Sequence, residues 1–318
     1  MKQETDVQAT VAGRSEFTIA SGRSVQTDPV DFPAHDGADI AVSLYVPGSV
    51  MAPAVHYAGL QTSYTTAGNQ ANAPTWTSAK TTTVRMILTA VDVYSATSPG
   101  TIIAIGSSTT DGVHSTLNAN RRWPDDLYAR LHDRLASKAP AVINEGISAN
   151  RVLHDGRGNS GGAPGEAAVH RFKRDVLEQA GGQSVIAFEG GNDIRMPGNG
   201  AIPLSDTVSA QQLIAGFESM ARQAHQHQLK FFVGTITAFQ DADPNQDRFP
   251  AWEATRLAFN EWARHTKEID GVLDFDAAIR DPENPARLLP RYDSGDHLHP
   301  NDAGYQAMAD SIDLSLFQ

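Results

Sequence analysis

The chain has no cysteine, which removes disulfides, thiolate catalysis and cysteine-bound metals and leaves the redox compartment open. It has no basic excess either. Its 37 acidic residues outnumber 25 lysines and arginines, for a formal charge of −12. A surface of that sign opposes nucleic acid and anionic membranes, both of which select a basic footprint. No stretch reaches the roughly 18–20 apolar residues of a membrane span. Residues 1–16 lack the apolar core of a signal peptide, so the expectation is a cytoplasmic protein or one whose leader has been removed. What is present is ordinary for a globular protein: 318 residues, 40% hydrophobic and 19% charged. That is enough for one large domain, or for a domain of about 200 residues with a smaller one beside it.

Two rhythms divide the chain. Residues 1–97 read as β-rich. The run 39–46 is rich in β-formers with partial alternation and stops at Pro47-Gly48, and 81–94 is dense in β-branched residues with no helical stripe. Between them, 63–78 has the Thr, Ala, Asn and Pro content of a surface loop. The expectation is a small sandwich-like accessory domain over 1–97, joined by a linker at 95–100 to a domain over 101–318. From Thr101 strands and helices alternate. Strands are predicted at 101–105, 141–144, 184–188, 230–235 and 271–275, and helices over 122–138, 166–180, 251–266 and 302–314. Ser209 with Gln212 forms a capping box for a further helix with the stripe Leu213, Phe217, Met220 and Ala224. This is an α/β pattern: a doubly wound, flavodoxin-like parallel sheet of five strands with helices on both faces.

The chemistry gathers at strand ends. The apolar run 101–105 stops at Gly106-Ser107-Ser108, a place where open α/β sheets present their ligands. The next two strands run into Asn144-Glu145-Gly146 and Gly190-Gly191-Asn192-Asp193, at the same sheet edge. A fourth piece, residues 293–300, brings Asp293, Asp296, His297 and His299 just before the last helix. Together these supply a hydroxyl, a glycine N–H, a side-chain amide and an Asp with a His. Those are the parts of acyl transfer: nucleophile, oxyanion donors, base and orienting carboxylate.

On these blocks the chain resembles the SGNH/GDSL-type hydrolases, in particular the arylesterase/acylhydrolase branch with an N-terminal β domain. The family's first block, Gly-Asp-Ser-x-Thr-Asp-Gly, stands here as Gly106-Ser107-Ser108-Thr109-Thr110-Asp111-Gly112. The glycine of the second block matches Gly146. The third block is Gly190-Gly191-Asn192-Asp193, and Asp-x-x-His-Pro is Asp296-His297-Leu298-His299-Pro300. The resemblance runs from Thr101 to the C-terminus. It implies Ser108 as nucleophile, His299 as base, Asp296 as its orienter, an oxyanion hole from the N–H groups of Ser108 and Gly146 with the Asn192 amide, and no cofactor or metal. It also implies a small-molecule ester or acylated carbohydrate as substrate, with short acyl or aryl esters favoured. Ser107 departs from the pattern, standing where the family has aspartate. The N-terminal region is short for this branch, and an incomplete sandwich would leave an edge open to a second subunit, a homo-oligomer.

Other readings stay open on the residues alone. Asp293, Asp296, His297 and His299 suit a metal-dependent hydrolase. The α/β domain fits a weakened carbohydrate- or polymer-binding protein, and the acyl-enzyme also serves transacylation. The match to G-x-G-x-x-G at 156–161 begins too far from its strand and reads as a loop. Residues 241–247 echo a calcium loop but lack its glycine and its terminal glutamate, and read as an acidic loop. His225 and His227 read as surface or capping residues at a helix end.

Overall fold

The computed structural model describes residues 6–32, 37–50, 55–76, 78–156, 165–243 and 246–317. It divides into two units, Met1–Ala54 with Ser63–Thr82, and Val55–Thr62 with Thr83–Gln318. Four short strands come first in the chain: β1 (Val55–His56), β2 (Ser63–Thr65), β3 (Lys80–Thr82) and β4 (Arg85–Met86). They form two separate antiparallel ladders, β2 with β3 in the first unit and β1 with β4 in the second.

Small N-terminal strands are therefore present, but they are shorter than the sequence suggests. The run 39–46 forms no ladder, and its Ile40, Val42 and Leu44 lie exposed. Of the block 81–94, only the end of β3 and the two residues of β4 pair, while the expected loop 63–78 contributes β2. The spatial division also differs from a boundary at residues 97–101, because 55–62 and 83–97 group with the α/β unit.

The second unit is built on five parallel strands: β5 (Thr101–Gly106), β6 (Ala141–Gly146), β7 (Gly182–Phe188), β8 (Lys230–Gly234) and β9 (Gly271–Leu273). Their order is β6-β5-β7-β8-β9, the doubly wound arrangement whose switch point lies between β5 and β7. Every residue of β5 is buried, as a central strand covered on both faces must be. Successive side chains of a strand point to opposite faces, and two cores follow from that alternation. Ile103, Ile105, Val185, Ala187, Phe231 and Val233 pack under α3 (Ala168–Phe172), α5 (Ala210–Gln226) and α6 (Phe249–His265). Ile102, Ala104, Ile186 and Phe232 pack under α2 (Trp123–Leu135), α7 (Phe275–Ile279) and α8 (Asp302–Asp310). Two single-turn helices, α1 (Ser108–Asp111) and α4 (Gly191–Arg195), start at the ends of β5 and β7, on either side of the switch point.

The helices begin where capping chemistry puts them. Ser209 Oγ accepts the Gln212 N–H while Gln212 returns a bond to the Ser209 N–H, so α5 starts with two of its free donors satisfied. Its stripe Leu213, Phe217, Met220 and Ala224 is fully buried. The helix predicted over 166–180 is α3 followed by a wider turn at Lys173–Leu177. On α3 the completely buried Arg171 donates to the carbonyls of Gly106 and Glu145 at 3.1 and 2.8 Å. One guanidinium thus braces the carboxyl ends of both β5 and β6.

Candidate active site

The turn after β5 is shaped by close contact. A Cβ at Gly106 would lie 2.2 Å from Thr110 Oγ1 and 2.5 Å from the Phe188 carbonyl, so only glycine permits it. The Ser107 carbonyl then accepts the Thr110 and Asp111 N–H groups at 3.0 and 2.8 Å, which starts α1 with Ser108 as its first residue. Asp111 closes that turn in a buried position. His56 Nε2 lies 2.6 Å from Asp111 Oδ1, and Ser148 donates its hydroxyl and N–H to Oδ2 at 2.6 and 3.2 Å. Arg85 Nη2 donates to His56 Nδ1 at 2.9 Å, which leaves the Nε2–H of that ring to face the carboxylate.

Residues 293–299 come to the same place from the opposite end of the chain. Asp293 and Pro300 bridge across the loop, and Asn301 caps α8 by accepting the Gly304 N–H at 3.1 Å. Within the loop, Asp296 Oδ1 accepts the N–H groups of Leu298 and His299 at 3.0 and 2.8 Å. Its Oδ2 lies 2.5 Å from His299 Nδ1, and His299 Nε2 lies 2.7 Å from Ser108 Oγ. Burial acts to raise the Asp296 carboxyl, but the His299 ring and the two N–H groups outweigh it and hold the carboxyl far below the usual range. Asp296 is a carboxylate throughout the neutral range. His299 Nδ1–H therefore donates to it, and Nε2 is free to accept the Ser108 hydroxyl proton.

Sequence reasoning missed one neighbour. His114, six residues past Ser108, places Nε2 3.2 Å from Asp296 Oδ2, with its ring 5.6 Å from that of His299. Nothing in the local pattern signals it, and its backbone is left-handed, with a φ of 69°.

Of the three expected oxyanion donors, two keep an unspent hydrogen. The Ser108 N–H has no partner among the described residues. Asn192 is buried on α4 and gives one amide hydrogen to the Asn150 carbonyl at 3.0 Å, which leaves the second unspent. Gly146 does not join them. Its N–H donates to Asn144 Oδ1 at 2.9 Å, and a Cβ there would fall 2.3 Å from the Asp111 nitrogen. Its glycine serves the packing of α1 on β6, so the expected donor role is corrected. Three residues on, Ala149 takes a left-handed φ of 64°, and its N–H has no partner among the described residues. A backbone donor needs no particular side chain, so the sequence carries no mark of it beyond its place in the loop. That loop is held against Asn192 by the Asn150 carbonyl, and against α4 by buried Asp193, which accepts the Val152 and Leu153 N–H groups at 2.8 and 3.1 Å.

Ser107, Ser108, Glu189 and Asn192 line one side of a small cleft, and Phe188, Ile236, Phe239 and Leu298 give it apolar walls. The space within it is about 30 Å³, room for only a few heavy atoms.

The metal reading finds a different set of residues from the one expected. His297 Nδ1 pairs with Asp293 Oδ2 at 2.6 Å, apart from the Asp296–His299 pair. Among the described residues, the donors that could share an ion are His114, Asp296 and His299, whose ligand atoms lie within 4.8 Å of one another. Both His299 nitrogens already face Asp296 and Ser108, so an ion bound by His299 would have to displace one of those contacts. Residues 157–161 of the glycine-rich match lie outside the described residues, as do 244–245 of the acidic loop, where Asp241 pairs with Arg287 at 2.7 Å. His225 pairs with Asp270 and His227 with the Gln223 carbonyl, as helix-end histidines do.

The comparisons place the chain in a family. Residues 104–307 match the GDSL-like Lipase/Acylhydrolase family. That span is most of the chain, and the protein belongs to this family of hydrolases. No curated protein matches the sequence. Among solved structures, a catalytic mutant of Axe2, an acetylxylan esterase from Geobacillus stearothermophilus, superposes with a TM-score of 0.50 at 16% identity, covering 70% of this chain and 94% of its own. A putative lipolytic protein of the G-D-S-L family from Desulfitobacterium hafniense DCB-2 gives 0.48 at 21% identity, covering 67% of this chain and 97% of its own. A carbohydrate acetylesterase family member from Sinorhizobium meliloti gives 0.49 at 15%, over 67% and 94%. The fold is that of the GDSL esterases, and the protein is an esterase/acylhydrolase-type enzyme.

Proposed function

We propose that the protein hydrolyses short-acyl carboxylic esters through an acyl-enzyme on Ser108, with no cofactor. The observation that carries this reading is the unbroken hydrogen-bonded chain Asp296–His299–Ser108, 2.5 and 2.7 Å long in its two links. A serine hydroxyl is a weak nucleophile until a neutral imidazole takes its proton, and His299 Nε2 is placed to do so. Ser108 Oγ attacks the ester carbonyl while His299 becomes imidazolium, stabilised by the ionised Asp296. His299 then returns the proton to the departing alkoxide, and water repeats the sequence to release the acid. The oxyanion is received by the Ser108 N–H and the free Asn192 hydrogen, with the Ala149 N–H as third donor in place of Gly146.

The smallness of the cleft beside Ser108 supports short acyl groups over fatty ones. Acetylated carbohydrate, the substrate class named for Axe2, falls within that range and belongs in the first assays. The test is hydrolysis of p-nitrophenyl acetate by the unaltered protein beside Ser108→Ala. Activity that disappears with the hydroxyl is expected. A variant that keeps more than about a tenth of it would overturn the assignment, given the losses that accompany a missing triad nucleophile.

A further inference from the structure

Acyl transfer as just described leaves one neighbour of its hydrogen-bonded chain unused. His114 places Nε2 3.2 Å from Asp296 Oδ2, with its ring 5.6 Å from that of His299. Among the described residues, these three form the group whose imidazole and carboxylate atoms gather closely enough to share an ion, all within 4.8 Å. Two imidazoles and one carboxylate are a donor set for a borderline divalent cation such as Zn²⁺. Mg²⁺ and Ca²⁺, which take oxygen ligands, are poorly served by it.

Two of the donors already stand at working distance. Ligands on arms of about 2.0–2.1 Å, set at tetrahedral angles, lie about 3.3 Å apart. His114 Nε2 and Asp296 Oδ2 are 3.2 Å apart. The carboxylate is held in place through its other oxygen, which accepts the Ser294 hydroxyl and the Leu298 and His299 N–H groups at 3.1, 3.0 and 2.8 Å. Solvent reaches the pair, since the side chains of His114 and Asp296 are 49% and 35% exposed. The third donor, His299 Nδ1, lies 2.5 Å from Asp296 Oδ2 with a proton between them. An ion in place of that proton widens the contact toward about 3.3 Å.

We propose that His114, Asp296 and His299 form an inhibitory site for Zn²⁺ or a cation of like chemistry, which takes His299 through Nδ1. Its effect on catalysis rests on the acyl-enzyme reading and follows from the two ring nitrogens. A neutral imidazole whose Nδ1 lone pair binds a metal carries its hydrogen on Nε2. The His299 hydrogen therefore moves from Nδ1 to Nε2, and the ring neither gains nor loses a proton. His114, binding through Nε2, keeps its own hydrogen on Nδ1. Three protein-to-metal bonds form and three metal–water bonds break. With Nε2 carrying the hydrogen, His299 faces the Ser108 hydroxyl as a donor and has no lone pair to accept its proton. The ion-bound enzyme is folded and idle.

Binding and inhibition are measured separately. Zinc chloride is titrated calorimetrically into Ser108→Ala, which keeps all three ligands, and into the same variant carrying His114→Asn. Asparagine suits the left-handed backbone at 114, and His114→Gln replaces it if the protein does not fold. The first is expected to bind one ion per chain at this site, and the second to bind it about tenfold or more weakly, at least the loss that follows disturbing a ligand's support. In hydrolysis of p-nitrophenyl acetate, zinc should inhibit the protein with Ser108 intact, and EDTA should restore the rate. His114→Asn should raise the half-inhibiting concentration about tenfold or more, each protein being compared with its own zinc-free rate. Mg²⁺ and Ca²⁺ should leave the rate within about twofold. The competing sites are three exposed histidines paired with aspartate, His170, His225 and His297. Inhibition that is unchanged in His114→Asn, or that only His297→Gln removes, overturns the proposal. So does binding without inhibition, or no binding that depends on His114. A protein that hydrolyses no ester in the absence of zinc would overturn the acyl-enzyme reading, while His114-dependent binding of one ion would still support the site.

Discussion

Residues 101–106 and 39–46 are two runs of similar length and similar taste for extended backbone. The first is β5, buried throughout and paired on both sides by β6 and β7. The second forms no ladder and leaves Ile40, Val42 and Leu44 at 42–47% exposure. Their difference shows that β-propensity describes how well a side chain fits a pleated, half-covered surface, and that surface must first exist. In 101–106 the parallel neighbours and the helices above and below create it. Around 39–46 the described residues supply no partner strand. Sequence pattern alone cannot tell these situations apart.

The largest effects should all fall on the side of β5. Ser108→Ala, at the end of that strand, is expected to lower kcat/KM on p-nitrophenyl acetate by at least ~10³-fold, whereas Val42→Ala should leave it within about twofold. Asp296→Asn should follow with a loss of ~10²–10⁴, because the amide no longer fixes the Nδ1–H tautomer of His299. In urea unfolding, Ile103→Ala should cost about 2–5 kcal/mol and Val42→Ala within about 0.5 kcal/mol. Equal costs at the two positions would break the comparison.

A pH series sharpens it further. Buried Glu189 has a folded pKa raised above its unfolded value, so its contribution to stability is complete below about 4.5 and is lost as pH rises through about 8. Glu189→Gln should flatten the fall in urea midpoint between those values. An unchanged slope would show that the acid is not buried as described. The smallest effect is expected at Ala149→Gly, where relief of the left-handed backbone should raise the midpoint by the equivalent of ~1 kcal/mol or less.

Most of the α/β unit was legible because its signals are local and repeated. The apolar runs, the Ser209–Gln212 cap and the four-residue stripe of α5 each follow from the chain itself. The candidate triad was legible for another reason: its residues stand in two short blocks, 106–112 and 296–300, that match a family pattern. Gly146 shows where this ends. A search for a glycine finds one, yet its N–H is consumed by Asn144, and the unspent N–H belongs to Ala149, which has nothing distinctive to read. His114 and Glu189 were invisible for the same reason, since each acquires meaning only from residues distant in sequence. The bracing of two strand ends by buried Arg171 is likewise a long-range contact that no helical period encodes.

The short ladder of β1 and β4 has a practical consequence for where this enzyme can be cut. Through His56 and Arg85 it grips Asp111 at the base of the nucleophile turn, and Leu60 and Thr62 hold Asn118 just beyond, at 3.0 and 2.7 Å. Residues 55–62 thus lie against the turn that carries Ser108, from outside the span that matches the family. A fragment excised at residue 101 keeps all three triad side chains and loses this segment, exchanging the imidazole against Asp111 for solvent. The contacts of the α/β unit thus take in residues from Val55 onward, some fifty ahead of the first recognisable motif, and a fragment meant to keep the Asp111 contacts has to include them.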